Sequence, residues 1–146
     1  MEGEEHGPVL ASGLFAGLRF IFREWKLPIE IATAGPESVE QYYEALSGSY
    51  GYDFQVPMMP VLAAAFSLLY FGDKGNEAIE LYRWMTDEYP NSPEAWEALG
   101  VAYEMNGQLE QSKSGFEFAV QRARERSDRR LPTYVEELEK VRRRLR

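Results

Sequence analysis

The sequence predicts an all-α fold. Apolar residues recur at three- and four-residue spacing in four successive segments, at about 59–70, 75–88, 93–105 and 109–126, as expected of helices that each bury one face. Turn-forming residues separate these segments at Gly72-Asp73, at Pro90-Asn91-Ser92 and at Asn106-Gly107. No alternation of strand and helix patterns occurs that would build a sheet flanked by helices.

The first predicted element is a strongly apolar helix from Val9 to Trp25. Its apolar positions at helical spacing are Leu10, Leu14, Leu18, Ile21 and Trp25. Fully burying five such side chains contributes about 7–15 kcal/mol, so this helix needs a covering partner. After it we expect an irregular stretch over 29–35, a short helix over 36–46 with Ser38 and Gln41 as a capping box, and a loop over 48–53.

The next four helices contain two copies of one pattern at a fixed offset. The later copy reads W-x-x-L-G-x-x-Y from Trp96 to Tyr103 and continues with Phe116 and Ala119. Aligning Leu62 with Trp96 brings Ala65, Leu69, Ala78, Tyr82 and Met85 opposite Leu99, Tyr103, Ser112, Phe116 and Ala119. The copies differ in places: Phe66 stands opposite Gly100, and the later copy has Ser112 where the earlier has Ala78.

This pattern and its period resemble the tetratricopeptide family, whose repeats are about 34 residues long. The resemblance implies antiparallel helical hairpins stacked into a right-handed α-solenoid, in which small residues such as Gly100 and Ala78 let helices approach closely. A last helix is predicted from Thr133, with Glu136 completing a capping box. Its apolar residues Tyr134, Leu138, Val141 and Leu145 share one face, so we expect it to cover the open end of the stack.

Length and composition exclude several classes of protein. With 146 residues, 45% hydrophobic and 27% charged, the chain is long enough for one globular domain with a buried core. It has no cysteine and one histidine, so we expect no disulfide and no Cys/His metal site. We also expect no cofactor. No uncharged apolar run reaches the roughly 18 residues of a spanning helix. The compartment stays open, because a chain without cysteine suits reducing and oxidising surroundings alike.

Charge is distributed unevenly along the chain. Residues 1–121 carry 6 basic and 19 acidic side chains, a net charge of −13, whereas 122–146 carry 10 basic and 5 acidic ones, a net charge of +5. An acidic body repels phosphate backbones, so we expect no nucleic-acid partner. The arginines after Gln121 are interpreted as a solvated helix face that pairs with the acidic body.

The first half of the chain carries a second resemblance. The runs His6-Gly7-Pro8-Val9, 14–22 (LFAGLRFIF), 25–28 (WKLP), 43–47 (YEALS) and 50–52 (YGY) resemble the C-terminal end of an esterase family of α/β-hydrolases similar to enterochelin esterases. Some members of that family append tetratricopeptide repeats. The resemblance implies the C-terminal helix of an esterase-like catalytic domain over 1–28, a linker with a short helix over 29–58, and repeats with a capping helix over 59–146.

By this resemblance, His6 matches the general base of a Ser-His-Asp triad in an intact parent protein. The chain contains no G-x-S-x-G element for the nucleophile, so we expect no catalytic activity from it alone. In one interpretation it is a non-catalytic module for protein–protein interaction or self-association. In the alternative, it is a regulatory or active-site-closing segment of an intact serine carboxylic-ester hydrolase.

As an interaction module, the chain should hold a protein or peptide in a groove. By resemblance, the groove residues are Ala63, Ser67, Tyr70, Glu97, Val101 and Glu104. The two glutamates favour a basic or amine-bearing partner. The apolar helix over 9–25 suggests either dimerisation or packing on an upstream hydrolase domain. The aromatic residues Tyr42, Tyr43, Tyr50, Tyr52 and Phe54 could line a pocket, but packing within the repeats or the linker is favoured.

Overall fold

The computed structural model describes residues 26–146, and this part of the chain is helical throughout, without a strand. Its helices are α1 (Ile29–Ala32), α2 (Pro36–Tyr50), α3 (Met58–Phe71), α4 (Gly75–Glu88), α5 (Pro93–Met105), α6 (Leu109–Glu125) and α7 (Leu131–Arg144). The all-α prediction is therefore confirmed for the described residues. The predicted helix over 9–25 and the candidate base His6 lie outside them.

The four central helices begin and end within two residues of their predicted bounds, because the turn residues have the expected geometry. Ser92 is the N-cap of α5, where its hydroxyl accepts a hydrogen bond from the Ala95 amide at 3.3 Å, and Pro93 follows at the first helical position. Gly107 has a φ of 74° in the turn after α5. A glycine adopts this left-handed conformation without steric cost.

Three sequence predictions about helix ends are wrong. The predicted loop at 48–50 is the last turn of α2, which continues to Tyr50 and ends at Gly51 with a φ of 64°. A capping box at Ser38 does not form, because α2 already begins at Pro36 and Gln41 donates instead to the Glu37 carboxylate at 3.0 Å.

The predicted start of the last helix at Thr133 is also wrong, because α7 begins two residues earlier, at Leu131. The Asp128 carboxylate accepts the Arg130 amide hydrogen at 2.7 Å just before this start. In addition, residues 29–32 of the stretch predicted as irregular form the short helix α1.

Consecutive helices from α3 to α7 pack against one another. The connections between them are short, covering 72–74, 89–92, 106–108 and 126–130, so neighbouring helices run antiparallel. Helices α5 and α6 approach each other closely at two glycines: a Cβ atom on Gly115 would lie 2.9 Å from the Gly100 Cα. Gly100 occupies the close-packed position predicted for it. Gly115, which lies next to Gly100 on α6, was not predicted to take part in this contact.

Positions one repeat period apart share their burial. Ala78 and Ser112, Tyr82 and Phe116, and Met85 and Ala119 are all buried, and α4 and α6 begin one period apart, at Gly75 and Leu109. The pair of Phe66 and Gly100 breaks this equivalence. Gly100 is buried against the Phe116 ring, whereas Phe66 is exposed on α3.

The core consists of two clusters. The larger one joins α1 to α5. The segment predicted as a linker over 29–58 contributes Ala32, Val39, Tyr43 and Leu46 to it, and Leu27, just before that segment, also belongs to this cluster. The smaller cluster packs α7 against α6 through Phe116, Val120, Tyr134, Leu138 and Val141. The predicted apolar face of the last helix thus covers α6, with Leu145 half-buried beside it.

Candidate functional site

The outer face of α3 is an exposed apolar surface. The sequence of α3, MMPVLAAAFSLLYF, contains no acidic or basic side chain. Its inner face is buried through Val61, Ala64, Ala65 and Leu68. Its opposite side, which we call the α3 outer face, consists of Met59, Ala63, Phe66, Tyr70 and Phe71. Since exposed apolar patches of this kind commonly mark interaction sites, this face is the first candidate site.

Aromatic rings on the α3 outer face contact one another. Phe66 and Tyr70 are stacked with their ring centroids 4.2 Å apart and an interplanar angle of 26°. Phe71 meets Phe66 edge-on at 6.1 Å. Phe66 and Tyr70 are each 46% exposed and Phe71 is 82% exposed. Such ring pairs are favourable by themselves, and rings that already contact one another lose less side-chain entropy on binding than isolated ones.

The structure separates the six groove residues predicted from the sequence into two sets. On α3, Ala63 and Tyr70 are exposed and Ser67 is half-buried. On α5, Val101 packs against the cluster formed by α6 and α7, while Glu97 and Glu104 form ion pairs within the chain. The α3 set is therefore accessible, and the α5 set is engaged by the C-terminal residues.

The chain itself supplies basic partners for both glutamates. A guanidinium nitrogen of Arg130 lies 2.8 and 2.6 Å from the two Glu97 carboxylate oxygens, and Arg144 donates to Glu104. Burial raises the pKa of Glu97, and the Arg130 guanidinium opposes this rise. The preference for a basic group that the sequence predicts at these positions is thus met by arginines of the chain's own C-terminal segment.

Sequence reasoning missed Met59, Phe66 and Phe71, three of the large exposed side chains of the α3 outer face. A signal was present at Phe66, because a large apolar residue stands one repeat period before a glycine that must pack closely. A phenylalanine is too large for the close helix contact that a glycine makes at the equivalent position, so its side chain must point away from such a contact. Met59 and Phe71 lie at the ends of α3, where periodicity alone does not indicate the buried side.

Two kinds of feature, a metal-binding cluster and a membrane-spanning helix, are absent from the described residues. Within 26–146, no group of three acidic or histidine side chains is arranged to hold a metal ion. No helix in this part is both long and apolar enough to cross a membrane. No protein-family model, curated protein or solved structure matches the chain. The tetratricopeptide and esterase resemblances, and the role of His6, therefore stay predictions.

Proposed function

We propose that this chain is a tetratricopeptide-like protein-interaction module that associates with a second copy of itself through the α3 outer face. The observation that carries the proposal is the cluster of Phe66, Tyr70 and Phe71, whose rings contact one another yet are exposed to solvent. Aromatic residues are enriched where protein surfaces meet, and truncating them commonly costs the most binding energy.

The chemistry of this face suits an identical partner. A two-fold symmetric interface brings the same surface of both copies together, so a charged side chain on that surface faces side chains of the same charge and is repelled. In a protein with a net charge of −8, most surfaces would repel their own copy. Because α3 carries no acidic or basic side chain, its outer face escapes this repulsion and can bury its rings against their equivalents.

The assignment to a tetratricopeptide-like module rests on three features. Antiparallel helices follow one another from α3 to α7, the repeat period recurs in both helix starts and buried positions, and the last helix closes one end of the stack. In such stacks, the first helix of each hairpin lines the binding surface. The α3 helix has this position in the earlier copy, which fits an interaction role for its outer face.

Sedimentation velocity of the full chain over a wide concentration range tests the proposal. We expect a dimer at high concentration that F66S/F71S abolishes, since both side chains are exposed and their loss leaves the core intact. The matched control is I29S/M105S, because Ile29 and Met105 are each 49% exposed but lie outside the α3 outer face. A monomer at every concentration, or a dimer that responds equally to both double variants, would overturn the proposal.

A further inference from the structure

A cleft lined by aromatic residues lies between α4, α5 and α6. Trp96, Leu99, Tyr103 and Phe118 contribute to its wall, and we call it the aromatic cleft. Its volume of about 330 Å³ is at the lower end of the roughly 300–1,000 Å³ that is usual for small-molecule sites, which are mostly apolar with a few polar groups. The aromatic cleft therefore suits a small ligand with an apolar body.

Two of the rings in the aromatic cleft contact each other. Trp96 and Phe118 are stacked with their centroids 4.5 Å apart and an interplanar angle of 28°. The Trp96 indole N–H also donates to the Pro90 carbonyl oxygen at 3.0 Å, so two contacts restrict the rotation of this side chain. Phe118 is nevertheless 42% exposed. An aromatic surface is thus accessible on which the ring of a ligand can pack.

Two opposite charges stand one helical turn apart in the wall of the same cleft. Arg83 and Asp87 of α4 both line it, and residues four positions apart lie on the same helix face. Within residues 26–146, neither of them forms an ion pair. Arg83 stays unpaired in this part of the chain although Glu80 and Asp87 lie at the spacings at which helical ion pairs form. The guanidinium and the carboxylate are therefore available to a ligand that carries both charges.

We propose that the aromatic cleft binds a free aromatic amino acid. The ring of the ligand would pack on Trp96 and Phe118, its carboxylate would pair with Arg83, and its ammonium group with Asp87. Guanidinium groups bind carboxylates through two parallel hydrogen bonds, and an α-amino acid carries both charges on one carbon atom at neutral pH. The proposal does not depend on the α3 outer face.

The charges favour a free amino acid over other ligands with an aromatic ring. An aromatic anion would be repelled by Asp87 and by the net charge of −8, whereas a zwitterion has no net charge to repel. An aromatic cation would be repelled by Arg83. A residue inside a peptide carries neither charge, because peptide bonds use both groups.

The cleft on the other side of α4 is a poorer site for the same ligand. It shares Arg83 and Asp87, but the carboxylate of Glu80 also lines it and would repel the carboxylate of the ligand. Its aromatic residue Trp84 donates its indole N–H to Glu40 at 2.7 Å. Among the clefts of the described residues that contain Arg83, the aromatic cleft is the one that joins the two charges to a stack of rings.

Titration of the isotope-labelled full chain with L-phenylalanine, followed by amide chemical shifts, tests this site. We expect saturable shifts centred on the residues of the aromatic cleft. R83Q and D87N should each raise the Kd about two- to fivefold, as expected for loss of an exposed ion pair. F118S should raise it about two- to tenfold through loss of the ring contact.

Matched controls remove the same kind of group outside the aromatic cleft. Lys74 and Glu77 are exposed near the start of α4, and Met105 is 49% exposed at the end of α5. We expect K74Q, E77Q and M105S to leave the Kd unchanged. Two analogues that each lack one charge, 2-phenylethylamine and 3-phenylpropionate, should bind more weakly than L-phenylalanine, and L-alanine should cause no saturable shifts.

Circular dichroism of each variant should show that its helices are retained. Absence of saturable shifts with L-phenylalanine, or shifts centred on another surface, would overturn the proposal. Equal weakening by R83Q and K74Q, or by D87N and E77Q, would show a general effect of charge and would overturn it as well. Unchanged affinity in F118S would mean that the ligand binds elsewhere, for example in the cleft on the other side of α4, and the proposal would be wrong.

Discussion

Gly115 offers the sharpest test of the helix packing, through the substitution Gly115→Ala. A Cβ atom at this position would lie 2.9 Å from the Gly100 Cα and 3.0 Å from the Gly100 nitrogen. Both are backbone atoms of α5, which cannot rotate away as a side chain can. The added methyl group must therefore push α5 and α6 apart at this contact.

Two opposing effects set the expected size of this change. Alanine is favoured over glycine inside a helix by about 1 kcal/mol, whereas forcing an extra methyl group into a tightly packed contact costs about 1–3 kcal/mol. Because contacts this short to backbone belong to the upper part of that range, we expect a net loss of about 1–2 kcal/mol. For a chain of this size, that lowers Tm by roughly 3–6 °C.

Gly48→Ala is the matched control, because Gly48 also lies inside a helix but has no neighbouring atom within 4 Å of the position that the new methyl group would take. Only the helix preference acts there, so we expect a gain of about 0.5–1 kcal/mol. Urea unfolding followed by circular dichroism measures both variants. If Gly115→Ala proved as stable as Gly48→Ala, the close contact of α5 and α6 would be wrong.

Three further predictions concern buried polar groups. Burial raises the pKa of Glu97, so ionisation of its carboxyl group destabilises the fold as pH rises. The Arg130 guanidinium offsets part of this cost. Arg130→Gln should therefore destabilise the fold more near pH 7, where Glu97 is charged, than near pH 4. Urea titrations check this, and an equal loss at both pH values would contradict it. Burial raises the pKa of Tyr43 and Tyr134 from 10.0 to about 12. Their protonated forms therefore stabilise the fold fully below about pH 10, and this stabilisation is lost as pH rises through 12. A titration followed by phenolate absorbance should show that these two tyrosines ionise late, and normal titration of all tyrosines would refute this. Ser112 is buried without a hydrogen-bond partner for its hydroxyl in the described structure, so Ser112→Ala should be neutral or stabilise by up to about 1 kcal/mol, and a clear loss in thermal unfolding would count against this.

Much of the fold could be predicted because its signals are local. Helical spacing of apolar residues and turn residues such as Ser92, Pro93 and Gly107 act within a few positions of the chain, and α3 to α6 lie close to their predicted bounds. The wrong helix ends at Ser38, Gly48 and Thr133 also have a local cause. Each is a residue type common in caps or loops, yet a helix tolerates it when neighbouring packing extends the helix past it.

The candidate site was less predictable. Ala63 and Tyr70 were expected on an accessible surface and are exposed on α3, whereas Phe66 and Phe71 were not among the predicted residues. Which side of a uniformly apolar helix faces the core does not follow from its own sequence, because every side has the same chemistry. It follows only from where α1, α4 and α5 pack.

The amino-acid sequence by itself determined the helical class, the repeat period and the apolar face of the last helix, since these arise from residues a few positions or one repeat apart. The tertiary structure alone decided which charges are satisfied. Arg130 meets Glu97 across 33 positions and Arg144 meets Glu104 across 40. Such pairings depend on how whole helices pack. Because dissolved salt screens the attraction between exposed charges, only side chains that the fold brings close together form ion pairs, and their order in the chain does not show which ones do.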